Sequence, residues 1–448
     1  MKQGFLGFAS LLLIGAVMAV GVFGGSALAT GRQQQPFLPT ATFLPVENLD
    51  YTLETVALTS DPIVFDDQTV DGYTFASMTY VTKYPQGMQF TATITPPEGR
   101  EILAVNVMYE SAGGGRGRAQ ADLTANANEW QAVPFDRGGL PPWQKFKVSF
   151  RVSDDSGASI ETAAVDVLYI DPTREWYRIE SQDVIAYWFD FPEELGAEVV
   201  TAFAQVRDKY EKGFGALLPF KPTVVIFPPG DSIGEFEPGG IANPRTTGQA
   251  NFDTQSAVLR VRGLEIEEIR QDCIWNEPRD LGWQMRFAAS VATHEVAHLY
   301  QYEFFAGRGP AWWIEGQATF FETDSGPFDQ RMRQLATMGV DLATLQGQGP
   351  SGMVGTPAAD GCTHLGYEMG TSFINWLVNT YGGYEMHRQI VELMDSNVGL
   401  PEALERVTGV GFMDLERQWR IYIGLSPDPV IIPTLEYQFP ATPTPFGQ

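Results

Sequence analysis

Residues 294–298 read HEVAH, placing two of the chain's four histidines four positions apart with Glu295 beside the first. On a helix, residues four apart share a face, so His294 and His298 can present both imidazoles to one ion while Glu295 points about one hundred degrees round. Two ligands with a carboxylate near the ion's open position suit metal-assisted hydrolysis. The same letters also arise on a surface helix with solvated histidines, or in a core where backbone carbonyls satisfy them. A third ligand separates these readings. Downstream, GPAWWIEGQATFFE places Glu315 17 positions after His298, enough for one turn and a second helix to return to the metal. Glu322, seven residues further, shares a face with Glu315, and Pro310 can open that helix.

These residues need elements to hold them. Phe287, Val291 and Leu299 supply apolar neighbours, and no Pro or Gly interrupts Trp283 to Phe305. Helices are therefore expected over 280–306, 310–323, 328–337, 365–381, 383–396 and 411–424. His387, in GYEMHRQIVELM, reads as a helix-surface residue. Ahead of the helices, WYRIESQDVIAYWFDF reads as two strands and Leu195, Val199, Phe203, Val206 and Tyr210 mark an amphipathic helix. KPTVVIFPP and SAVLRVRG read as further strands, so residues 172–425 form an α+β domain. Residues 49–171 have period two instead. Met88, Phe90, Ala92 and Ile94 alternate with Gln and Thr, and Phe146, Val148, Phe150 and Val152 with Lys, Ser and Arg. Gly, Pro and Asp clusters separate such runs, which predicts an all-β sandwich of immunoglobulin-like type. It holds neither His nor Cys, so a spacer or binding module is the default.

HEVAH followed by WWIEGQATFFE resembles the glutamate zincins, or gluzincins. Among them it is similar to the exported bacterial peptidase MA-like domains, which pair HExxH with a downstream W-x-x-E-G-x-A helix. Trp312, Glu315, Gly316 and Ala318 match that second motif, and the broader likeness covers roughly 172–424. The resemblance implies a gluzincin-type metallopeptidase domain holding Zn2+ on His294, His298 and Glu315, with Glu295 as general base and a peptide or protein as substrate. It also implies a supporting carboxylate at Glu322, against the alternative of a solvated helix-end glutamate. An oxyanion donor is expected from a later helix: Tyr367 is the candidate, His364 its competitor, and a structural role is open to either. Zinc aminopeptidases of the wider group carry a G-x-M-E-N segment whose glutamate captures an amino terminus. PGGIANP and TGQANFD supply neither, so an endopeptidase is the expectation. SAVLRVRG is the candidate edge strand along which an extended peptide lies. Trp312, Trp313, Phe320 and Phe321 suit core or pocket equally.

The formal net charge of −26 argues against nucleic acid or an anionic membrane as partner, because phosphate-binding surfaces need clustered Lys and Arg. Residues 1–29 combine Lys2, a long apolar run and Ala27-Leu28-Ala29, as a signal peptide does; an uncleaved anchor is the alternative, and either places the rest outside the cytoplasm. Residues 30–48 and 426–448 read as a Pro- and Thr-rich linker and tail. Cys273 and Cys362 are expected to bridge in an oxidising compartment, with two buried thiols as the alternative. Two functions remain in contention: an exported zinc peptidase, and a cell-surface binding protein whose sandwich does the recognising and whose zinc is structural or idle.

Overall fold

The computed structural model describes residues 49–136, 139–230, 235, 247–264, 280–304, 307–323, 328–337, 345 and 365–428, within one compact unit, Ala41–Gln448. The expected segments 1–29 and 30–48, most of 426–448, Cys273, Cys362 and His364 lie outside the described residues.

The chain enters through β1 (Tyr51–Val56), then runs through β2 (Ile63–Val64), β3 (Gln68–Val70), β4 (Tyr73–Thr82), β5 (Met88–Thr95), β6 (Ile102–Ser111), β7 (Arg116–Leu123), β8 (Glu129–Ala132), β9 (Gln144–Asp154), β10 (Ser159–Glu161) and β11 (Val165–Tyr169). From β2 on, these make one antiparallel sheet of ten strands, ordered β10-β9-β6-β7-β8-β5-β4-β2, with β11 on β9 and β3 on β4. The period-two reading holds: Met88, Phe90, Ala92 and Ile94 are buried, as are Phe146, Val148, Phe150 and Val152. The immunoglobulin-like type is not shown. Instead of two facing sheets there is one sheet bent over itself, because β7 serves both halves, pairing β6 along most of its length and β8 through Asp122 and Leu123. The folded-over halves meet where Tyr73 Oη donates to Asp154 (2.7 Å), Tyr80 Oη to the Leu168 carbonyl (3.0 Å) and Thr82 Oγ1 to the Ile170 carbonyl (2.7 Å).

Next come β12 (Trp176–Ser181), β13 (Ile185–Trp188), α1 (Glu194–Phe214), β14 (Thr223–Phe227), β15 (Gly248–Asn251) and β16 (Ser256–Arg260). They form a six-stranded sheet, β1-β12-β13-β14-β16-β15, in which β13, β14 and β16 run parallel and α1 is a crossover. SAVLRVRG, as β16, is therefore not the edge: it lies between β14 and β15, and among the described residues Gly248–Asn251 is the outermost strand on that side. Strand alternation divides this sheet between two cores. Ile179, Ala186, Trp188, Val224, Ile226, Ala257 and Leu259 face the helices; Trp176, Tyr187, Phe189, Val225, Phe227 and Val258 face the ten-stranded sheet. Trp143, in the bend just before β9, stacks flat on Tyr187, ring centroids 4.2 Å apart.

The helices are α2 (Leu281–Glu303), α3 (Ala311–Phe321), α4 (Phe328–Thr337), α5 (Leu365–Tyr381), α6 (Gly383–Asp395), α7 (Leu400–Thr408) and α8 (Phe412–Ile423). All were expected except α7. Asp280 caps α2, accepting from the Trp283 amide. Pro310 is extended and stands one position ahead of α3. Trp312, Trp313, Phe320 and Phe321 are core residues. Among the described residues, no helix is long and apolar enough to cross a membrane.

Candidate metal centre

The centre is built where α2 and α3 meet. His294 and His298 stand one turn apart on α2, and Glu315 on α3 returns to them as the spacing suggested. Glu315 Oε2 lies 3.2 Å from His294 Nε2 and 3.5 Å from His298 Nε2. One ligand atom from each of the three residues lies within 4.8 Å of the others. The far side of each ring is also held. His294 Nδ1 is 2.7 Å from Glu322 Oε1, and Ser290 Oγ donates to the other oxygen of that carboxylate at 3.1 Å. Lys209 Nζ donates to the Glu322 backbone carbonyl at 3.0 Å, fixing the residue that caps α3. His298 Nδ1 is 2.8 Å from Gln301 Oε1, while Gln301 Nε2 donates to the Ile314 carbonyl at 2.7 Å.

These outer contacts decide where the ring hydrogens sit. A carboxylate can only accept, and the Gln301 amide has its nitrogen engaged with a carbonyl, so each Nδ1 carries the hydrogen in the neutral ring. Both Nε2 lone pairs then converge on a carboxylate oxygen. Three lone pairs aimed at one point repel unless positive charge lies among them, and two imidazole nitrogens with one carboxylate oxygen are a donor set for zinc. The residues therefore fit the ion. Electrostatics favours positive charge here. Burial pushes both imidazole pKa values down, but Glu315, with Glu322 beside His294, outweighs it and raises both. Burial likewise pushes the Glu315 carboxyl up, but His298 and His294 outweigh it and hold that carboxyl well below the usual carboxylate range.

Glu295 does not join the ligand group. It is buried, its pKa raised above all by burial, and its carboxylate lies against β15: a Cβ at Gly248 would fall 2.5 Å from Glu295 Oε1. A side chain at position 248 would therefore have to displace the Glu295 carboxylate. Tyr367 comes from α5. Its ring centroid lies 6.0 Å from that of His294, and burial, with the Glu315 and Glu295 carboxylates, pushes its hydroxyl well above the ordinary range, so the hydroxyl stays a donor. The α5 backbone reaches α3 through two glycines: a Cβ at Gly316 would fall 2.6 Å from the Gly370 Cα, and one at Gly370 2.1 Å from the Trp312 carbonyl oxygen.

Two residues escaped the sequence reading. Gln301 stands three positions after His298, a spacing that puts both on one helix face. His387 is no surface residue: it is 1% exposed, with Nδ1 2.7 Å from the Gly213 carbonyl oxygen and Nε2 2.8 Å from Gln317 Nε2. Its spacing to Val391 and Met394, i+4 and i+7, was the signal for burial.

No described protein family matches the chain, and no curated protein matches it. Among solved structures, leukotriene A4 hydrolase of Saccharomyces cerevisiae is similar at 11% identity and a TM-score of 0.26, over 79% of this chain and 66% of that one. The same yeast hydrolase in complex with bestatin is similar at 10% identity and a TM-score of 0.24, over 80% and 66%. This chain thus spans just under two thirds of the length of those enzymes. Likeness of this degree leaves the site to be read from its own residues.

Proposed function

We propose that the chain is an exported zinc-dependent endopeptidase. The observation that carries the hydrolytic reading is the convergence of His294 Nε2, His298 Nε2 and Glu315 Oε2 beside a buried carboxylate, Glu295, which takes no part in that convergence. A structural ion would need the first three and not the fourth. Zinc held by these three residues supplies a Lewis acid that polarises a carbonyl and lowers the pKa of water. The remaining work falls to the protein. Glu295 accepts the proton of the attacking water and returns it to the leaving nitrogen. Tyr367 donates its hydroxyl hydrogen to the carbonyl oxygen as charge develops there. Strand β15, outermost among the described residues and beside Glu295, would take an extended peptide by strand addition. The β15 sequence, Gly-Gln-Ala-Asn, holds no carboxylate to capture an amino terminus, which supports internal cleavage. Residues 1–29 would direct export.

The test is digestion of an unbiased peptide mixture by residues 30–448 with zinc, read by mass spectrometry, beside a Glu295→Gln variant. Internal cuts by the wild type alone are expected, with zinc bound equally by both. Cuts by both proteins refute the role of Glu295; zinc bound without cleavage by either turns attention to the binding-protein reading.

A further inference from the structure

The two ligand histidines are held by different chemistry, and the difference carries information. We propose that Gln301 is a positioning residue whose side-chain amide joins the two metal-bearing helices, orienting His298 through its oxygen and fixing the helix of Glu315 through its nitrogen. This rests on the zinc reading above. Gln301 is buried, at 2% exposure. Its Oε1 accepts from His298 Nδ1 at 2.8 Å, and its Nε2 donates at 2.7 Å to the carbonyl of Ile314, the residue before Glu315. An amide offers an acceptor and a donor on one rigid plane; a carboxylate offers acceptors alone. A glutamate suffices at the other end of α3, because there Glu322 meets two donors, His294 Nδ1 and Ser290 Oγ. At position 301 one partner is a donor and the other a carbonyl oxygen, and only the amide matches both.

Helix α3 is thus tied to α2 at both ends, through Gln301 near its start and Glu322 at its cap, with Glu315 between the ties. The Gln301 tie also fixes the ring state of His298, since a hydrogen held on Nδ1 leaves the Nε2 lone pair facing Glu315 Oε2, 3.5 Å away.

The experiment measures zinc affinity of the full chain by chelator competition for wild type, Gln301→Met and Gln301→Glu, with circular dichroism to show that each folds. Met removes both contacts; Glu keeps the acceptor for His298 but turns a carboxylate oxygen on Ile314. Each variant is expected to lose about ten- to a hundredfold in affinity. An affinity within about threefold of wild type in either folded variant, well short of that loss, overturns the proposal. Should the variants not fold, the wild type decides through nitrogen NMR of histidine-labelled protein, a spectrum of only four rings. In the neutral ring the His298 hydrogen is expected on Nδ1, and finding it on Nε2 overturns the bridge. A wild type that binds no zinc would sink the metal reading, while the ring measurement would still judge Gln301.

Discussion

Acid should destabilise this protein through His387, a residue remote from any ligand role. The ring sits among Trp313, Phe321 and Phe214, and burial lowers its pKa from 6.5 to about 4. In the neutral state Nδ1–H donates to the Gly213 carbonyl and Nε2 accepts from the Gln317 amide. A proton on Nε2 would set two donors against each other in a core. Below pH 6.5 the unfolded ring takes a proton that the folded ring refuses, so stability falls as pH drops toward 4 and levels off below. At 1.36 kcal/mol per pKa unit the full loss is about 3 kcal/mol, of which about 2 kcal/mol appears between pH 7 and pH 5. The assay is urea unfolding of wild type and His387→Gln at both pH values. The variant starts less stable, yet its loss on acidification should be smaller by about 2 kcal/mol, other titrating groups being common to both proteins. Equal losses would refute the reasoning, as would an NMR titration of His387 with its midpoint above pH 6.

Gly316→Ala drives a methyl to 2.5 Å from the Gly370 carbonyl carbon, backbone against backbone, so α3 and α5 must part. A loss of about 1–3 kcal/mol is expected in thermal unfolding, and an unchanged melting temperature would contradict the contact. Tyr367→Phe should lower kcat about a hundred- to a thousandfold with zinc affinity unaltered, as for loss of an oxyanion donor, and an unchanged kcat would assign Tyr367 to structure alone.

Much of the site was legible because its geometry is local. Helix periodicity alone sets His294 and His298 on one face, and a turn followed by a second helix is enough to return Glu315. Tyr367 was harder, since its place depends on how closely α5 approaches α3, which two glycines far apart in sequence decide. The edge strand was misassigned for a related reason. SAVLR is the more apolar run and reads as the stronger strand, but apolarity marks burial between neighbours, while the outermost described strand, Gly-Gln-Ala-Asn, is short, polar and silent to periodicity. Helix α7 carried its own signals: Pro401 in the first turn, buried Leu400, Ala403 and Leu404, and Gly409 as a left-handed stop. The bend of the ten-stranded sheet had none, because alternation tells which side of a strand is buried and not which strands pair.

The pairing of β1 with β12 has a consequence for how the chain is made. Val56 lies opposite Trp176, so β1 leaves the ribosome roughly 120 residues before its partner and cannot take its place until then. The intervening sheet shortens the wait in entropic terms. Ile63 pairs with Tyr80, whose hydroxyl reaches the Leu168 carbonyl, so once that sheet has folded only short connections remain on either side of it. Cutting the effective loop about tenfold lowers the entropic cost of closure by about 2 kcal/mol. The ten-stranded sheet, once folded, then serves as a clamp that brings β1 and β12, the first ladder of the six-stranded sheet, within reach of each other.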